Sequence, residues 1–323
     1  MILNKKVFIL ICIILFFIFF ALGIGSKFLL KPAWAKKYEI EFTDEIGTLY
    51  TDLSYGEKEA NKFDMYLPKD NTRDTYGLIV YLHAGGFTAG DKAEDKRMLS
   101  WLCSKGYVAV GINYTLFSEE NPKANVYVQS MEIKEAIPKV IEEAKNYGYS
   151  INEMGIAGGS AGHTLAMIYA YRDAGISPVP VKLLFGAVGL SSFYTEDWGI
   201  YGFDKNTDEA RKGAASLFGV MGGVELTSEM IKDGTYIEKL KPISAVMWID
   251  ENTVPSVVAY GKHDKVQPYK ASQRLLKAYK EHNVDYQYFE CSYSGHGLQN
   301  DNTVYKEYME TVEKYLNKYM TIK

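Results

Sequence analysis

Continuous apolar runs alternate with helical patterns along most of this chain, and this alternation limits the folds that it can adopt. Leu78–Leu82 and Tyr107–Ile112 are apolar throughout, as in strands buried on both faces of a parallel sheet. Further strands are predicted at Tyr38–Phe42, Thr48–Leu53, Lys62–Leu67, Met154–Ala157, Leu183–Gly189, Ser256–Tyr260 and Tyr286–Glu290. Helices are predicted at Asp95–Cys103, Tyr127–Tyr147, His163–Tyr171, Tyr269–Glu281 and Thr303–Tyr319. The pattern predicts an α/β fold, with a doubly wound, mostly parallel sheet and antiparallel strands at its N-terminal side.

The N-terminus carries a pattern of its own. Lys5 and Lys6 precede Val7–Gly25, an apolar run close to the ~20 residues that span a bilayer. Residues 1–26 are therefore predicted to be a membrane anchor or signal segment, residues 27–47 a linker with the first strand region, and residues 48–323 the α/β domain. Because the apolar core of a cleavable signal is usually shorter, an uncleaved anchor is favoured over cleavage at Ala33-Trp34-Ala35.

The same segment predicts where the protein resides. A short basic head before a long apolar run behaves like an export signal, so we expect membrane anchoring with the α/β domain outside the cytoplasm. The lysines that follow the run outnumber Lys5 and Lys6, and this count favours the opposite orientation. Secretion after signal cleavage is the alternative.

Composition excludes several classes of function. The formal net charge is −4 and no Lys/Arg cluster stands out in the body of the chain, so nucleic acid is not an expected partner. No Cys or His pair has metal-ligand spacing, so a structural zinc is not expected. Two ordinary thiols at Cys103 and Cys291 are favoured, although the sequence leaves a bridge between them open.

Gly158-Gly159-Ser160-Ala161-Gly162 lies between a predicted strand and a predicted helix. The G-x-S-x-G pattern is weak by itself, but at a strand-to-helix turn it has a mechanical meaning. A serine at such a sharp turn is held clear of the sheet, and the flanking glycines let the strand and helix approach closely. The context therefore predicts that Ser160 is a nucleophile.

A serine nucleophile needs a base, and the base needs an acid that orients it. His296 lies between glycines in a loop after the last predicted strand, and Asp264 follows the strand that ends at Tyr260. Each has a plainer interpretation, His296 as a surface histidine and Asp264 as a turn residue that caps the next helix. The chain order Ser, Asp, His favours the catalytic interpretation. Asp250 is a weaker candidate for the acid because it precedes the strand.

The developing oxyanion requires hydrogen-bond donors. One predicted donor is the N–H of Ala161 at a helix N-terminus, and the others are the N–H groups of Gly85 and Gly86 after the strand Leu78–Leu82. A glycine-rich turn can also bind phosphate, but no G-K-[ST] sequence follows here. His83 is expected to brace this loop. The remaining histidines are expected to be structural: His163, His263 and His282.

Residues 191–240 fit the strand–helix rhythm poorly and are rich in glycine, aspartate and aromatic residues, with a short helix predicted near Asp208–Phe218. An insertion of this kind predicts a lid or pocket wall, and a solvated connection with packing aromatics is the alternative. Phe87, Tyr194 and Trp198 are the candidate pocket residues, suited to an apolar or sugar-stacking site.

From about Thr48 to its C-terminus, the chain resembles the esterase/lipase branch of the α/β-hydrolase superfamily, including hormone-sensitive lipase and bacterial feruloyl-esterase-like carboxylesterases. The resemblance rests on D-M-Y-L-P at 64–68, H-A-G-G-F at 83–87, G-D-K at 90–92, N-Y-T-L at 113–116, the pentapeptide around Ser160, Asp264 with Val266 and Pro268, and G-H-G at 295–297. Two positions depart from the pattern. Ala84 replaces the first glycine of H-G-G-G, and Thr115 stands where arginine is common, so an ion pair behind the site is in doubt.

The resemblance implies a serine carboxylesterase that acts on short-chain or carbohydrate-linked esters through Ser160, His296 and Asp264, without a cofactor. A small-molecule or carbohydrate ester is the expected partner. A peptidase of the prolyl-oligopeptidase type shares this catalytic core and is the main rival within enzymes. A non-catalytic hydrolase-fold binding protein is the rival from another class, although such proteins usually lose a triad member.

Overall fold

The computed structural model describes residues 33–321, which contain one eight-stranded sheet. The strands are β1 (Gly47–Ser54), β2 (Lys62–Pro68), β3 (Tyr76–Leu82), β4 (Val108–Ile112), β5 (Ile151–Gly159), β6 (Val181–Ala187), β7 (Ser256–Gly261) and β8 (Tyr286–Cys291). Their spatial order is β1-β2-β4-β3-β5-β6-β7-β8. β2 is antiparallel to both β1 and β4, and the six strands β3 to β8 are mutually parallel. The predicted fold class is confirmed.

Eight α-helices occur in the described part of the chain. They are α1 (Lys96–Ser104), α2 (Val126–Asn146), α3 (Ala161–Ile168), α4 (Asp208–Gly222), α5 (Ser228–Asp233), α6 (Tyr236–Leu240), α7 (Tyr269–Glu281) and α8 (Asn302–Tyr319). The helix predicted at His163–Tyr171 differs in part, because α3 passes into a π-helical turn at Tyr169–Asp173. The strand predicted at Tyr38–Phe42 is wrong, since those residues form no strand.

The described residues belong to two compact units, and the boundary follows Glu39. The described part of the first unit is a 3₁₀ turn, Ala33–Lys37. The predicted anchor or signal segment lies outside the described residues. Between residues 33 and 321, the helices are all too short or too polar to cross a membrane.

The central strands are fully buried, which explains their unbroken apolar sequences. Leu78, Val80, Val108 and Val110 have no exposed surface, because helices cover both faces of the sheet. β1, at the sheet edge, consists mostly of half-buried and exposed residues instead. The parallel strands β3, β5, β7 and β8 all end at one edge of the sheet, so the loops that follow them meet there.

Residues 191–240 form short 3₁₀ turns followed by α4, α5 and α6. Their aromatic side chains pack together, with Phe218 at 4.8 Å from Trp198 and 5.4 Å from Phe193 between ring centroids. Arg274 on α7 ties the first turn to the domain, because its Nη2 donates to Oδ1 of Asp197 at 3.0 Å. The segment is therefore packed onto the domain.

Candidate active site

Ser160 lies at the turn between β5 and α3, with φ of 50° and ψ of −116°. A positive φ is strained for a residue with a Cβ, and such strain persists only where the surroundings enforce it. A Cβ on Gly162 would lie 1.9 Å from the carbonyl oxygen of Leu82, and one on Gly158 would lie 2.5 Å from the carbonyl carbon of Gly162. Both positions therefore require glycine, because α3 starts in contact with β3 and β5.

The imidazole of His296 lies between Ser160 and Asp264. Its Nε2 is 2.8 Å from Oγ of Ser160, and its Nδ1 is 2.7 Å from Oδ2 of Asp264. Because a carboxylate only accepts hydrogen bonds, Nδ1 donates to Asp264 and Nε2 is left to accept from the serine hydroxyl. Three residues far apart in the sequence thus form one hydrogen-bonded chain.

Backbone groups hold the carboxylate of Asp264, whose side chain is only 1% exposed. Its Oδ1 accepts from the N–H of Val266 at 2.8 Å and of Gln267 at 3.0 Å. Asp250 is exposed instead, and its carboxylate accepts from the N–H of Asn252. Of the two acids considered from the sequence, only Asp264 contacts the imidazole.

The loop that carries His296 is anchored by a buried carboxylate that the sequence did not single out. Oδ2 of Asp301 accepts from Oγ of Ser294 at 2.6 Å and from the N–H of Tyr293 at 3.0 Å. Oγ of Ser294 in turn accepts from the N–H of Asn300 at 2.9 Å. These bonds hold the backbone just before His296.

The loop after β3 has three consecutive residues with positive φ: Gly85 at 127°, Gly86 at 62° and Phe87 at 69°. Gly86 and Ala161 line the same cavity as Ser160. Gly85 is not among the lining residues of that cavity, and a Cβ there would lie 1.8 Å from the carbonyl oxygen of Ala89. Gly85 therefore makes the tight turn, and Gly86 faces the site.

His83 braces this loop from within the protein. Its ring stacks on Tyr114 with centroids 4.3 Å apart, and the Tyr114 hydroxyl donates to the carbonyl of His83 at 2.9 Å. Burial lowers the pKa of His83, which favours the neutral ring. Nδ1 of His83 lies 2.6 Å from the carbonyl oxygen of Ala84, the residue that replaces the first glycine of H-G-G-G.

His163 is fully buried behind the site. Burial lowers its pKa to about 3, so the ring is neutral at ordinary pH. Its Nδ1 accepts a hydrogen bond from the N–H of Gly189 at 3.0 Å. This geometry supports a structural role.

A polar cluster surrounds the buried side chains of Lys92 and Asp64. Nζ of Lys92 is 2.8 Å from Oδ1 of Asp52 and 3.3 Å from Oδ1 of Asp64. Burial lowers the pKa of Lys92, but the neighbouring carboxylates, chiefly Asp52, outweigh this effect and raise it. Asn113 joins the cluster, because its side chain donates to Asp91 at 2.6 Å and accepts from the N–H of Lys92 at 2.7 Å.

Thr115, which stands where the resemblance leads us to expect arginine, is held by hydrogen bonds. Its N–H and Oγ1 donate to the carboxylate of Glu132 at 2.6 and 2.7 Å. Nζ of Lys58, from the loop between β1 and β2, lies 2.6 Å from the same carboxylate. The buried carboxylate of Glu132 is thus paired with the ammonium group of Lys58, from a different part of the chain.

The cavity beside Ser160 has a volume of about 200 Å³. Of the three candidate pocket residues, Phe87 and Trp198 line it and Tyr194 does not. The ring of Tyr194 instead packs against the guanidinium of Arg274, 4.0 Å from its centroid. The other lining residues are mostly apolar: Thr164, Val188, Leu190, Tyr201, Leu217, Met221, Val266, Gln267 and Pro268.

The two cysteines considered above are free buried thiols. Burial raises the pKa of both Cys103 and Cys291 to about 12, so neither is a reactive thiolate at neutral pH. Among residues 33–321, no three His, Cys, Asp or Glu side chains gather into a potential metal site.

With this geometry established, sequence comparisons identify similar proteins. The family model BD-FAE matches residues 63–178. Kynurenine formamidase from Salmo salar is 32% identical over 144 residues, which is 44% of this chain and 45% of that protein. Acetyl esterase from Salmonella typhi is 32% identical over 133 residues, 39% of each chain. The chain thus spans less than half the length of these curated relatives.

Solved esterase structures share the fold over most of the chain. A thermophilic esterase from Thermogutta terrifontis aligns with a TM-score of 0.65 and 19% identity, covering 88% of this chain and 97% of that one. Esterase B from Lactobacillus rhamnosis aligns with a TM-score of 0.62 and 17% identity, covering 87% and 90%. A truncated carbohydrate esterase from gut microbiota aligns with a TM-score of 0.64 and 18% identity, covering 85% of this chain and 98% of that one. The predicted resemblance to the esterase branch of the α/β-hydrolase superfamily is confirmed.

Proposed function

We propose that this α/β-hydrolase is a serine carboxylesterase in which Ser160, His296 and Asp264 form the catalytic triad. The observation that carries the proposal is the imidazole of His296, which bridges the serine hydroxyl and a buried carboxylate at 2.8 and 2.7 Å. The hydrogen-bonded chain opens onto an apolar cavity. A nucleophile, its base and a place for an acyl group are the parts that ester hydrolysis requires.

In the acylation step, Oγ of Ser160 attacks the ester carbonyl carbon while Nε2 of His296 takes the hydroxyl proton. The carbonyl electrons move onto its oxygen, which then accepts hydrogen bonds from the N–H groups of Gly86 and Ala161. As the tetrahedral intermediate collapses, the bond to the alcohol breaks and His296 returns the proton to the departing oxygen. Asp264 stabilises the imidazolium throughout this step.

Deacylation repeats the same chemistry with water. Nε2 of His296 takes a proton from a water molecule that attacks the acyl-enzyme carbonyl. The bond to Ser160 then breaks, Ser160 recovers its proton from His296, and the free acid leaves. Gly85 supports the oxyanion site by shaping the turn, because any side chain there would collide with the carbonyl of Ala89.

The cavity favours short acyl chains. Its volume of about 200 Å³ is smaller than the sites that hold drug-sized ligands, and apolar side chains line most of it. Similarity to acetyl esterases and to a carbohydrate esterase supports acetyl or other short acyl groups on small alcohols or sugars.

A second candidate is hydrolysis of an aryl formamide. Kynurenine formamidases are among the relatives that match this chain, and a formyl group is the smallest acyl group that the cavity could hold. Comparing kcat/KM for formanilide-type amides with that for acetate esters separates the two candidates.

Substitution of the nucleophile tests the proposal. Ser160→Ala should abolish both hydrolysis of nitrophenyl acetate and labelling by a fluorophosphonate, while Ser216→Ala, at an exposed position on α4, should change neither. Wild-type levels of both signals in Ser160→Ala would reject the mechanism. A folded wild-type protein with neither signal would favour a non-catalytic binding role, and preferential cleavage of peptides would favour a peptidase.

We also propose that the N-terminal apolar run anchors the protein in a membrane with the α/β domain outside the cytoplasm. The support is the length of the run, Val7–Gly25, and the lysines before it. Alkaline extraction of membranes, compared for the full chain and residues 36–323, tests anchoring. Release of the full chain by that treatment would contradict it.

A further inference from the structure

The amide of Gln129 connects the two loops that border the candidate oxyanion site. Its Nε2 donates to the carbonyl of Phe87 at 2.9 Å and to the carbonyl of Thr115 at 2.8 Å. The side chain lies on the first turns of α2 and has no exposed surface. One fully buried NH₂ group thus links the loop after β3 to the loop after β4.

The bond to Phe87 acts at the most strained part of the loop. Phe87 has φ of 69° and follows two glycines that also have positive φ. A bulky residue adopts such a φ only when other contacts enforce it. Two donors from outside the loop meet at its carbonyl oxygen, Nε2 of Gln129 and the N–H of Phe117, the latter at 3.0 Å.

The amide oxygen of Gln129 indicates that this residue is present for the hydrogen bonds that its Nε2 donates. Within the described part of the chain, Oε1 of Gln129 has no hydrogen-bond partner. A buried acceptor without a partner is unfavourable, so a side chain kept for packing alone would be better apolar. The two donated bonds therefore offset that cost.

We propose that Gln129 is a positioning residue that sets the geometry of the oxyanion loop. The inference rests on the proposed esterase function and extends it to a residue outside the cavity. By fixing the carbonyl of Phe87, Gln129 holds the short positive-φ turn that carries the N–H of Gly86, two peptide units earlier, where the oxyanion forms. Since such donors stabilise charge that develops in the transition state, a displaced loop lowers kcat more than it raises KM.

The test replaces the amide with a side chain of similar length. Gln129→Met should lower kcat on nitrophenyl acetate ~10–100-fold and leave KM within about threefold, because a displaced donor costs less than a missing one. Affinity for a trifluoromethyl ketone, which forms a tetrahedral adduct with serine, should fall by the same factor as kcat/KM. Gln273→Met is the matched control, since its amide donates to the hydroxyl of Tyr288 at 2.9 Å and contacts neither of the two loops.

Gln129→Glu, which keeps the shape and removes the neutral donors, gives the same comparison should the methionine variant fail to fold. Unchanged kcat and inhibitor affinity in folded variants would overturn the positioning role. A lower Tm with normal kcat per folded molecule would also overturn it, because packing alone would then explain the residue. A wild-type enzyme without esterase activity would instead overturn the proposed function, and this inference with it.

Discussion

At the scale of single residues, Asp264 holds the imidazole of His296, the proposed base. Its carboxylate accepts from Nδ1 of His296 and from two backbone N–H groups, so it selects one tautomer of the imidazole. Asp264→Asn should lower kcat ~10³–10⁴-fold with a small change in KM, because the amide can hold the ring with its proton on the wrong nitrogen. Asp250→Asn, at an exposed turn, is the control and should keep full activity. Steady-state kinetics on a nitrophenyl ester checks both, and equal rates for the two variants would contradict the assignment.

His163 predicts how stability depends on pH. Its pKa falls from 6.5 to about 3 on burial, so between those values the unfolded chain binds a proton that the folded chain does not. Stability therefore rises with pH through this window and is lost on acidification, by roughly 1 kcal/mol between pH 7.5 and 5.5. His163→Asn keeps an acceptor for the N–H of Gly189 and removes the titration, so its urea midpoint should change less with pH. Parallel pH profiles for the two proteins would contradict this.

Motifs with a mechanical cause could be predicted residue by residue. Ser160, Asp264 and His296 follow strand ends in a fixed order, and the structure brings them into contact. Tyr194 could not be placed in this way. Whether an aromatic ring faces a cavity or the guanidinium of Arg274 depends on side-chain direction, which local composition does not determine.

At the scale of elements, α4 supplies one wall of the cavity through Leu217 and Met221, one turn apart. Met221→Ala should enlarge the acyl site and raise kcat/KM for hexanoate relative to acetate ~5–10-fold, since each buried methylene contributes about 0.8 kcal/mol. Val220→Ala is the matched control because Val220 is 52% exposed on the same helix. Hydrolysis rates across nitrophenyl esters of increasing chain length check this. An unchanged chain-length profile in Met221→Ala would place the acyl group elsewhere.

Helix periodicity alone could not identify that wall. The sequence predicts a short helix near Asp208–Phe218, and α4 extends to Gly222. Its inward face becomes clear only when Phe218 packs on Trp198 and Phe193, because those rings come from the turns before the helix. Gln129 was missed for a related reason: a glutamine in a helix is ordinarily exposed, and nothing local indicates that two carbonyls lie beside it.

At the scale of the whole molecule, general rules of α/β architecture allow the position of the site in the sheet to be predicted from the sequence. Buried apolar runs separated by helices predict parallel strands whose carboxyl ends share one edge, and the site lies there. The cross-links between distant segments could not be predicted. Lys58, for example, reaches Glu132 from the loop between β1 and β2, and no local pattern pairs these two residues.

Packing across the whole molecule determines whether residues 191–240 unfold together with the sheet or separately. Phe218, Trp198 and Phe193 belong to the hydrophobic core that also contains the strands, so residues 191–240 should unfold together with the sheet. Phe218→Ala removes a ring with no exposed surface and should destabilise the whole unit by about 3–5 kcal/mol. The Tm from far-UV circular dichroism and the hydrogen-exchange protection of 191–240 should therefore fall together, while Phe117→Ala, at a partly exposed ring, should change both much less. Loss of protection confined to 191–240, at an unchanged Tm, would show instead that the segment opens independently as a lid.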